Sequence, residues 1–398
     1  MSAAIDRHPV GDDERDLDWY VDDLQRLGIR RVHVFAWRDL DDPDAGGSEV
    51  HADQFMRRWS ERGLEVLHRT SFAEGLPTSA RRNGYEVIRR GSRYSVFPRA
   101  VAAELTRRMG SADAIVEIWN GVPWFSPVWC RRPKITMLHH VHGPMWDQIL
   151  PGPLAALGRS LETRLAPPFY RRGLTVTPSD ATRKELLALG FRPDRVVAVP
   201  NGVDPAFSPG GPKTPHPSVV AVGRMAPVKR FDLLIAAAAE ARRRHPTLQL
   251  TIVGEGPLRT QLARQIEHID AGDWIELVGR VEHAALVDHY RRAWLVASGS
   301  LAEGWGLSLT EAAACGTPAV ATDINGHRSS VVAEQTGRLV SEADLGAAIA
   351  DVLSDDRLRA GFAAAALARS RTLTWEASAL GLTRCLHSEV LRVSPRPR

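Results

Sequence analysis

The stretch from residue 294 to 320 most constrains the fold, because it carries a buried strand, a glycine turn and a helix in close succession. The apolar run at 294–297 predicts a strand with no polar face, as in parallel sheets covered by helices. A turn at 304–306 follows, and residues 308–315 have the composition of a helix that ends at Gly316. Strand, glycine turn and helix form the repeating unit of α/β folds, so at least one parallel sheet is expected.

The start of this helix carries a predicted capping box, with Ser308 as the N-cap residue and Glu311 three residues later. The helix would then point its free N–H groups at the glycine turn, an arrangement that binds anions. Two carboxylates, Glu303 and Glu311, flank this position. The alternative is an ordinary strand–loop–helix unit in which Glu311 only caps the helix, since such boxes are common.

Short apolar runs alternate with helical patterns along the whole chain, which predicts an α/β protein with doubly wound sheets. A stretch rich in proline and glycine at 208–218 reads as a linker, and a length of 398 residues favours two domains. We predict an N-terminal domain over 1–195, a C-terminal domain over 196–375 and a C-terminal helix over 376–398.

Gly46 and Gly47 stand between a predicted strand at 31–37 and a helical pattern that starts at Ser48. Glycines at such a place let a phosphate or a sugar approach the backbone closely. Taken alone, the pair fits a tight turn as well as a ligand loop. The spacing is not that of the G-x-G-x-x-G fingerprint, so no dinucleotide site is predicted.

Three histidines, His139, His140 and His142, follow the predicted strand at 135–138. Ligands of open α/β sheets bind beyond the carboxyl ends of the strands, which makes these side chains candidates for ligand contact. A metal site would need further ligands, and no cysteine is near in sequence, so none is predicted. At least one of the three is expected to be structural.

A loop after the predicted strand at 219–222 carries two cations, Arg224 and Lys229, behind Gly223. Arginine can bind phosphate with two parallel hydrogen bonds, and lysine adds a point charge. A solvated basic loop is the alternative interpretation. The chain has only four lysines, and the presence of one of them here favours a functional role.

Glu303 and Glu311, with seven residues between them in a glycine-rich strand–helix connection, resemble the E-x7-E segment of retaining GT-B glycosyltransferases of family 4. Trp305 stands where a phenylalanine is more usual in that family. The resemblance implies two facing Rossmann-like domains, a nucleotide-sugar donor in the cleft between them, and a C-terminal helix that crosses back to the first domain.

The resemblance also implies roles for individual residues. Glu303 would face the donor sugar and Glu311 would bind the ribose. His139 would contact the sugar hydroxyls, with His142 as the close alternative. The remaining donor contacts would come from the glycine pair, the cationic loop, the base-proximal turn and the helix N-terminus, at Gly46, Gly47, Arg224, Lys229, Val278, Arg280, Gly304, Leu307, Ser308 and Leu309.

The implied activity is retaining transfer of a hexosyl unit from a UDP- or GDP-linked sugar to a hydroxyl acceptor. The acceptor would be a glycan, a lipid-linked intermediate or a small natural product. No Asp-x-Asp motif is suitably placed, so neither a metal nor another cofactor is expected. Alternatives are a GT-B nucleotide-sugar epimerase, a sugar phosphorylase and a non-catalytic carbohydrate-binding protein. The carbohydrate-binding protein is the less favoured of these, because a lectin does not need two sites directed at phosphate.

Charge and composition exclude several classes of protein. The formal net charge of +4 is small for this length and does not indicate nucleic-acid binding. No apolar run reaches the ~18–20 residues of a membrane span. The first twenty residues are acidic and lack an apolar segment, so no signal peptide is expected. Cys130, Cys315 and Cys385 form no metal or disulfide pattern, which indicates a reducing cytoplasm.

Two further segments have apolar patterns with two interpretations each. Residues 119–130 carry three tryptophans among turn residues, and packing is favoured over an acceptor pocket because aromatic side chains are usually buried. Leu154, Leu157, Leu161 and Leu165 recur at helical spacing, and core packing is the usual meaning of such a stripe. Weak peripheral membrane contact is the less favoured alternative, because few basic residues line the stripe.

Overall fold

The computed structural model describes residues 15–393 and divides into two compact units. The first unit comprises Met1–Gly202 together with Trp375–Arg398, and the second comprises Val203–Thr374. Each unit is built on a sheet of its own, as the alternating sequence pattern predicts.

The first unit contains an eight-stranded sheet with the order β3-β4-β2-β1-β5-β6-β7-β8. Neighbouring strands are parallel except for β3, which pairs antiparallel with β4 at one edge. The strands are β1 Arg31–Phe35, β2 Glu65–Thr70, β3 Ser79–Arg82, β4 Tyr85–Arg89, β5 Ala114–Trp119, β6 Lys134–Leu138, β7 Leu174–Thr177 and β8 Val196–Ala198.

Helices connect these strands, and several of them are only one turn long. They are α1 Leu17–Arg26, α2 Gly47–Glu61, α3 Val96–Leu105, α4 Ser126–Trp129, α5 Trp146–Ile149, α6 Gly152–Ser160, α7 Pro167–Tyr170 and α8 Asp180–Ala188. A π-helical turn, Leu161–Leu165, continues α6. The central strand β5 is buried at every position, which fits a strand covered by structure on both faces.

The second unit contains a six-stranded parallel sheet with the order β11-β10-β9-β12-β13-β14. Its strands are β9 Ser218–Val222, β10 Gln249–Val253, β11 Ile275–Gly279, β12 Leu295–Ser298, β13 Ala319–Thr322 and β14 Gly337–Val340. Its helices are α9 Phe231–Arg242, α10 Arg259–His268, α11 His283–Arg292, α12 Leu307–Ala314, α13 Asn325–Ser330, α14 Leu345–Ser354 and α15 Asp356–Ser370.

The last helix, α16 (Trp375–Val393), belongs to the first unit although it follows the second in sequence. Ala379, Leu382 and Leu386 on this helix are buried in the core that also holds strands β1 and β5. The side chain of Trp59 on α2 donates a hydrogen bond to Thr383 at 2.7 Å. The return of the C-terminal helix to the first unit confirms that element of the expected GT-B architecture.

Both sheets are doubly wound, and each has one point where the strand order reverses. In the first sheet β1 lies between β2 and β5, and in the second sheet β9 lies between β10 and β12. Loops that leave adjacent strands in opposite directions open a crevice at such a point, where α/β proteins bind ligands. The loops after β1 and β5, and those after β9 and β12, are therefore where site residues are expected.

The division between the units lies at Gly202 and Val203, beyond the boundary that the sequence predicted at 195/196. The reason is β8, which pairs with β7 and so extends the first sheet. The edge strand β3 has no counterpart in the sequence prediction, because its polar residues show no apolar alternation. The expectation that the first twenty residues are not a signal peptide concerns mostly residues 1–14, which lie outside the described residues.

Two packing expectations have opposite outcomes. The tryptophans of the 119–130 segment pack inside the first unit, with Trp119 and Trp124 1% and 2% exposed. In contrast, the leucine stripe does not pack in the core. Leu154, Leu157 and Leu165 are all more than half exposed, because the opposite side of α6 is the one that faces the protein.

Candidate functional site

The loops after β9 and β12 lie side by side at the strand-order reversal of the second sheet. The N–H of Leu301 donates to the carbonyl of Val228 at 2.9 Å, which joins the two loops directly. The loops after β9 and β10 touch through their backbones as well. A Cβ at Gly254 would lie 2.0 Å from the carbonyl oxygen of Gly223, so only glycine fits there.

Lys229 and Glu303 form the central contact between these loops. Lys229 Nζ donates to Glu303 Oε1, and both side chains are partly buried. Ser300 Oγ donates to the same carboxylate oxygen at 2.9 Å. The structure thus brings together the cation and the carboxylate that the sequence assigns to diphosphate and sugar, and it holds the carboxylate by two donors.

His327 is a third charged or polar group beside Glu303. Its ring is fully buried, and its Nδ1 lies 2.7 Å from the carbonyl oxygen of Thr322. Burial lowers the pKa of His327, against the opposing effect of Glu303. For Glu303, burial raises the pKa, but the charges of Lys229 and His327 together with the hydrogen bonds from Lys229 and Ser300 outweigh burial, and the net shift is downward. Glu303 is therefore a carboxylate at neutral pH.

The turn that carries His327 rests directly on the backbone of Glu303. A Cβ at Gly326 would lie 2.3 Å from the carbonyl oxygen of Glu303 and 2.4 Å from its Cβ. No side chain larger than hydrogen fits at position 326, so only glycine lets the start of α13 pack against the backbone of Glu303.

Helix α12 begins at Leu307, with Gly306 as its N-cap residue at φ 94°. The predicted capping box is wrong, since Ser308 lies inside the helix and no side chain caps the N-terminus. The reason is the left-handed backbone of Gly306, which starts the helix before Ser308. The N–H of Leu309 donates to the carbonyl of Gly306 at 3.1 Å, so any ligand contact by backbone N–H groups falls to Leu307 and Ser308.

Glu311 faces Tyr290 of α11 instead of the helix N-terminus. The hydroxyl of Tyr290 donates to Glu311 Oε2 at 2.9 Å. Burial raises the pKa of Glu311 to about 7, and Asp204 adds to the increase, while the hydrogen bond from Tyr290 opposes it. Glu311 is thus a group whose charge changes near neutral pH.

The other predicted donor residues of the second unit lie on the same rim of loops. Arg224 is exposed on the loop that carries Lys229, and Arg280 is exposed after β11. The remaining positions, Gly304, Val278, Leu307 and Ser308, are partly buried, while Leu309 is buried. A side-chain role for Leu309 is therefore excluded in this conformation, as its side chain packs in the second unit's core.

The glycine pair of the first unit lies at the start of helix α2, which follows the loop after β1. Gly46 is the N-cap residue and Gly47 the first helical residue, and both are exposed. The N–H of Gly46 donates to Glu49 Oε2 at 2.7 Å, so the carboxylate of Glu49 caps the helix. Asn120, after β5, reaches Ser48 Oγ at 3.4 Å, which places both loops of this strand-order reversal together.

His139 lies at the end of β6 and is bonded to a second histidine. Its Nε2 is 3.2 Å from Nδ1 of His51 on α2, and Nε2 of His51 is 3.1 Å from Oγ of Ser378 on α16. Burial lowers the pKa of His139 to about 3, with a smaller contribution from nearby His140, so the ring is neutral. Nδ1 of His139 has no hydrogen-bond partner among the described residues.

His142 is held in a different environment from His139. Its backbone N–H donates to Oε1 of Glu162 at 2.8 Å, and its Nδ1 lies 3.4 Å from the same oxygen. Its ring stacks on that of His140 with 4.4 Å between centroids. Nδ1 of His142 forms no hydrogen bond among the described residues, as for His139, but the carboxylate of Glu162 and the ring of His140 hold the His142 ring in place.

Sequence reasoning missed His51, Tyr290, Ser300 and His327 as members of these sites. His51 could have been found, because it follows the glycine pair by one helical turn and so projects near the start of α2. The others depend on which loops the sheet order places together, and one sequence does not contain that information.

Two kinds of feature are absent from the described residues, 15–393. No group of three or more histidine, cysteine, aspartate or glutamate side chains is arranged to hold a metal ion. No helix in this part of the chain is long and apolar enough to cross a membrane.

Two family models and many relatives match the chain. The model for glycosyl transferases group 1 matches residues 205–369, and the model for glycosyltransferase family 4 matches residues 45–207. D-inositol 3-phosphate glycosyltransferase 2 of Catenulispora acidiphila is 33% identical over 89% of this chain and 93% of its own length. A D-inositol 3-phosphate glycosyltransferase of Rhodococcus jostii is 35% identical over 90% and 88%, respectively.

Solved structures of low sequence identity share the fold. Sucrose-phosphate synthase from Thermosynechococcus elongatus is 20% identical, with a TM-score of 0.76 over 92% of this chain and all of that chain. Anabaena HepE in complex with UDP and glucose is 19% identical, with a TM-score of 0.66 over 86% and 95%. Taken with the matching family models and relatives, the two sheets and their site loops show that the chain belongs to family 4 of the glycosyltransferases, which have the GT-B fold.

Proposed function

We propose that this glycosyltransferase moves a hexosyl unit from a UDP- or GDP-linked sugar to a hydroxyl acceptor with retention of anomeric configuration. The observation that carries the proposal is the Lys229–Glu303 pair at the strand-order reversal of the second sheet. A diphosphate and a sugar are adjacent groups of one donor, and this pair offers one charge suited to each.

In the proposed mechanism the donor diphosphate competes with Glu303 for Lys229. When phosphate oxygens bind Lys229 and Arg224, Ser300 still holds the carboxylate of Glu303. That carboxylate then favours positive charge at the anomeric carbon, while the cations and the N-terminus of α12 stabilise the leaving diphosphate. Because a phosphate oxygen can take the acceptor's proton on the same face, retention needs neither a separate protein base nor a metal ion.

The remaining contacts follow from the local geometry. Glu311, held by the buried hydroxyl of Tyr290, is suited to accept hydrogen bonds from a ribose diol. His139 is assigned to a sugar hydroxyl ahead of His142, because its ring lacks the carboxylate contact that His142 makes with Glu162. The proposed acceptor is a glycan, a lipid-linked intermediate or a small natural product. Relatives are named for D-inositol 3-phosphate and for phosphatidylinositol monomannoside, which makes inositol derivatives the first compounds to assay.

The test is a thermal-shift panel of nucleotide sugars followed by product analysis. The donor that raises Tm most is incubated with candidate acceptors, and NMR of the product reports the anomeric configuration. An α-linked product from an α-linked donor supports the proposal, and inversion contradicts it. Conversion of the donor without an acceptor indicates an epimerase, phosphate-dependent turnover indicates a phosphorylase, and binding without turnover indicates a carbohydrate-binding protein.

A further inference from the structure

The helical segment from residue 152 to 170 turns large apolar side chains outward. Leu154, Leu157 and Leu165 are 52%, 59% and 52% exposed, and Phe169 on α7 is 51% exposed. We call these four residues the leucine face. The three leucines are separated by three and eight residues, so they follow one side of a continuous helical path.

The opposite side of the same segment is buried and carries small or polar residues. Ala155, Glu162 and Ala166 are at most 1% exposed, and Gly158 is buried with them. A Cβ at Gly158 would lie 2.6 Å from the indole of Trp146, so the helix rests directly on that ring. This arrangement is the reverse of an ordinary surface helix, whose leucines face the core.

Specific hydrogen bonds fix this orientation. The buried carboxylate of Glu162 accepts from the backbone N–H groups of His142 and Gly143 at 2.8 and 3.0 Å, and from Trp146 Nε1 at 3.1 Å. Rotating the helix to bury the leucines would break all three bonds and leave a buried carboxylate without donors. The leucine face is therefore a stable exposed surface.

Arginines accompany the leucine face along the same segment. Residues 152–173 contain four arginines against one acidic residue. That acidic residue, Glu162, is buried, and Arg159 is paired with Asp147 of α5. Arg164 in the π-helical turn and Arg171 and Arg172 directly after α7 are exposed.

The apolar surface continues onto α4 but stays small. The ring of Phe125 contacts that of Phe169 with 5.7 Å between centroids, and Val128 on α4 is 62% exposed. Five half-exposed side chains offer far less area than the ~800 Å² per partner of a stable protein interface. Helices that lie in the headgroup region of a bilayer instead combine leucine and phenylalanine with arginine, as this segment does.

We infer that the leucine face and its arginines bind the surface of anionic lipid bilayers. The leucines and Phe169 insert at the boundary between headgroups and acyl chains, while Arg164, Arg171 and Arg172 contact lipid phosphates. This surface lies outside the residues assigned to donor and sugar, so the inference goes beyond the proposed transferase reaction and holds or fails independently of it.

The test is co-sedimentation of the full chain with vesicles of equal parts phosphatidylglycerol and phosphatidylcholine, and with vesicles of phosphatidylcholine alone. We expect binding to the anionic vesicles that weakens as salt is raised. The double variant Leu154→Gln/Leu157→Gln should lower the apparent affinity by about tenfold or more, since it removes two inserted side chains. Arg171→Gln/Arg172→Gln should lower it by a similar factor, at about fivefold per charge.

Matched controls carry the same changes elsewhere. Leu105→Gln on α3, where the leucine is 61% exposed, and Arg243→Gln, where the arginine is exposed, should leave vesicle binding unchanged. All variants alter exposed side chains, so Tm and turnover with a soluble acceptor should match the parent chain. Equal binding by the leucine variant and the parent chain overturns the inference. So does self-association in ultracentrifugation that the leucine variant abolishes, because a second copy would then be the occupant.

Discussion

Lys229 Nζ donates a hydrogen bond to Glu303 Oε1, so the cation and the carboxylate expected to serve different parts of the donor are bonded to each other. Each neutralises the other in a partly buried position, where an unpaired charge is costly. Binding of a diphosphate would exchange the carboxylate partner of Lys229 for phosphate oxygens. The pair therefore keeps both side chains ordered and charged.

The first prediction concerns the cations of this loop. Lys229→Ala and Arg224→Ala should each weaken binding of nucleoside diphosphate and lower turnover about 10²-fold or more, on the scale of losing one charge-stabilising donor. Calorimetry of UDP and GDP and steady-state kinetics provide the measurements. Lys184→Ala is the matched control, because Lys184 is an exposed lysine of α8 in the first unit. Normal kinetics in both loop variants would remove the loop from the site.

The second prediction concerns pH. Burial raises the pKa of Glu311 to about 7, so the neutral carboxyl dominates below that pH. Only the carboxylate can accept hydrogen bonds from both hydroxyls of a ribose diol, so nucleotide affinity should rise as the pH increases through about 7. Calorimetry about one unit on either side of that pKa measures the change. Glu311→Gln cannot ionise and should flatten the profile, and an unchanged slope in this variant would assign the titration to another group.

Ionisation of Glu311 should also affect folding in the absence of ligand. Its folded-state pKa is raised above the ordinary value, so its contribution to stability is full below that ordinary value. The contribution is lost as the pH rises through about 7, when a buried carboxylate must form. Thermal unfolding of the parent chain and of Glu311→Gln across this range separates the effect from nucleotide binding.

The sequence predicted the doubly wound fold because apolar runs and helical patterns alternate, and this local signal survives in both sheets. Glu303, Lys229 and His139 each follow a strand of the structure, as the apolar runs in the sequence predict. The sequence prediction failed where structure depends on non-local packing. Ser308 does not cap α12, because the left-handed backbone of Gly306 starts the helix earlier. Glu311 accepts a hydrogen bond from Tyr290 of a neighbouring helix instead of taking part in a capping box.

The leucine stripe shows a second limit of the sequence. Helical spacing identifies which residues share a face, but it does not say which face meets the protein. Here Glu162 and Gly158 determine the answer, through three hydrogen bonds and contact with Trp146. The partners of that carboxylate lie up to twenty residues away in sequence, so the pattern alone favoured core packing.

The third prediction concerns metal ions. Transfer should continue in the presence of EDTA, because Arg224, Lys229 and the N-terminus of α12 are proposed to stabilise the diphosphate without a cation. Rates are measured before and after chelation, and after addition of Zn²⁺ or Mn²⁺. Complete loss with EDTA that either metal restores would overturn both the proposed mechanism and the assignment of His139 to a sugar hydroxyl.

The fourth prediction concerns Gly326, which packs against the backbone of Glu303. Gly326→Ala places a methyl group 2.3 Å from the carbonyl oxygen of Glu303, so the loop must move. Overpacking of this kind costs about 1–3 kcal/mol of unfolding free energy, and displacement of Glu303 should also lower kcat. Gly361→Ala on α15 is the matched control, because its Cβ would meet nothing within 4 Å. The control should be stabilised by about 0.4–1 kcal/mol with unchanged kcat.

The last prediction separates the two glutamates. Glu311→Gln should weaken binding of both free nucleotide and nucleotide sugar, and raise KM more than it lowers kcat, since the ribose does not change during the reaction. Glu303→Gln should leave free-nucleotide affinity nearly intact and lower kcat strongly, because its carboxylate is proposed to act on the sugar. If both were only structural, each change would cost about 1 kcal/mol of stability and little activity.

Calorimetry of free nucleotide and kcat for both variants decide between these outcomes, and Tm for each variant shows whether folding is affected. The Lys229–Glu303 bond makes the comparison sharper. Loss of the carboxylate in Glu303→Gln releases Lys229 from its partner, so free nucleotide should bind at least as tightly as in the parent chain. If Glu303→Gln instead weakens free-nucleotide binding as much as Glu311→Gln does, the proposed division between sugar and ribose is wrong.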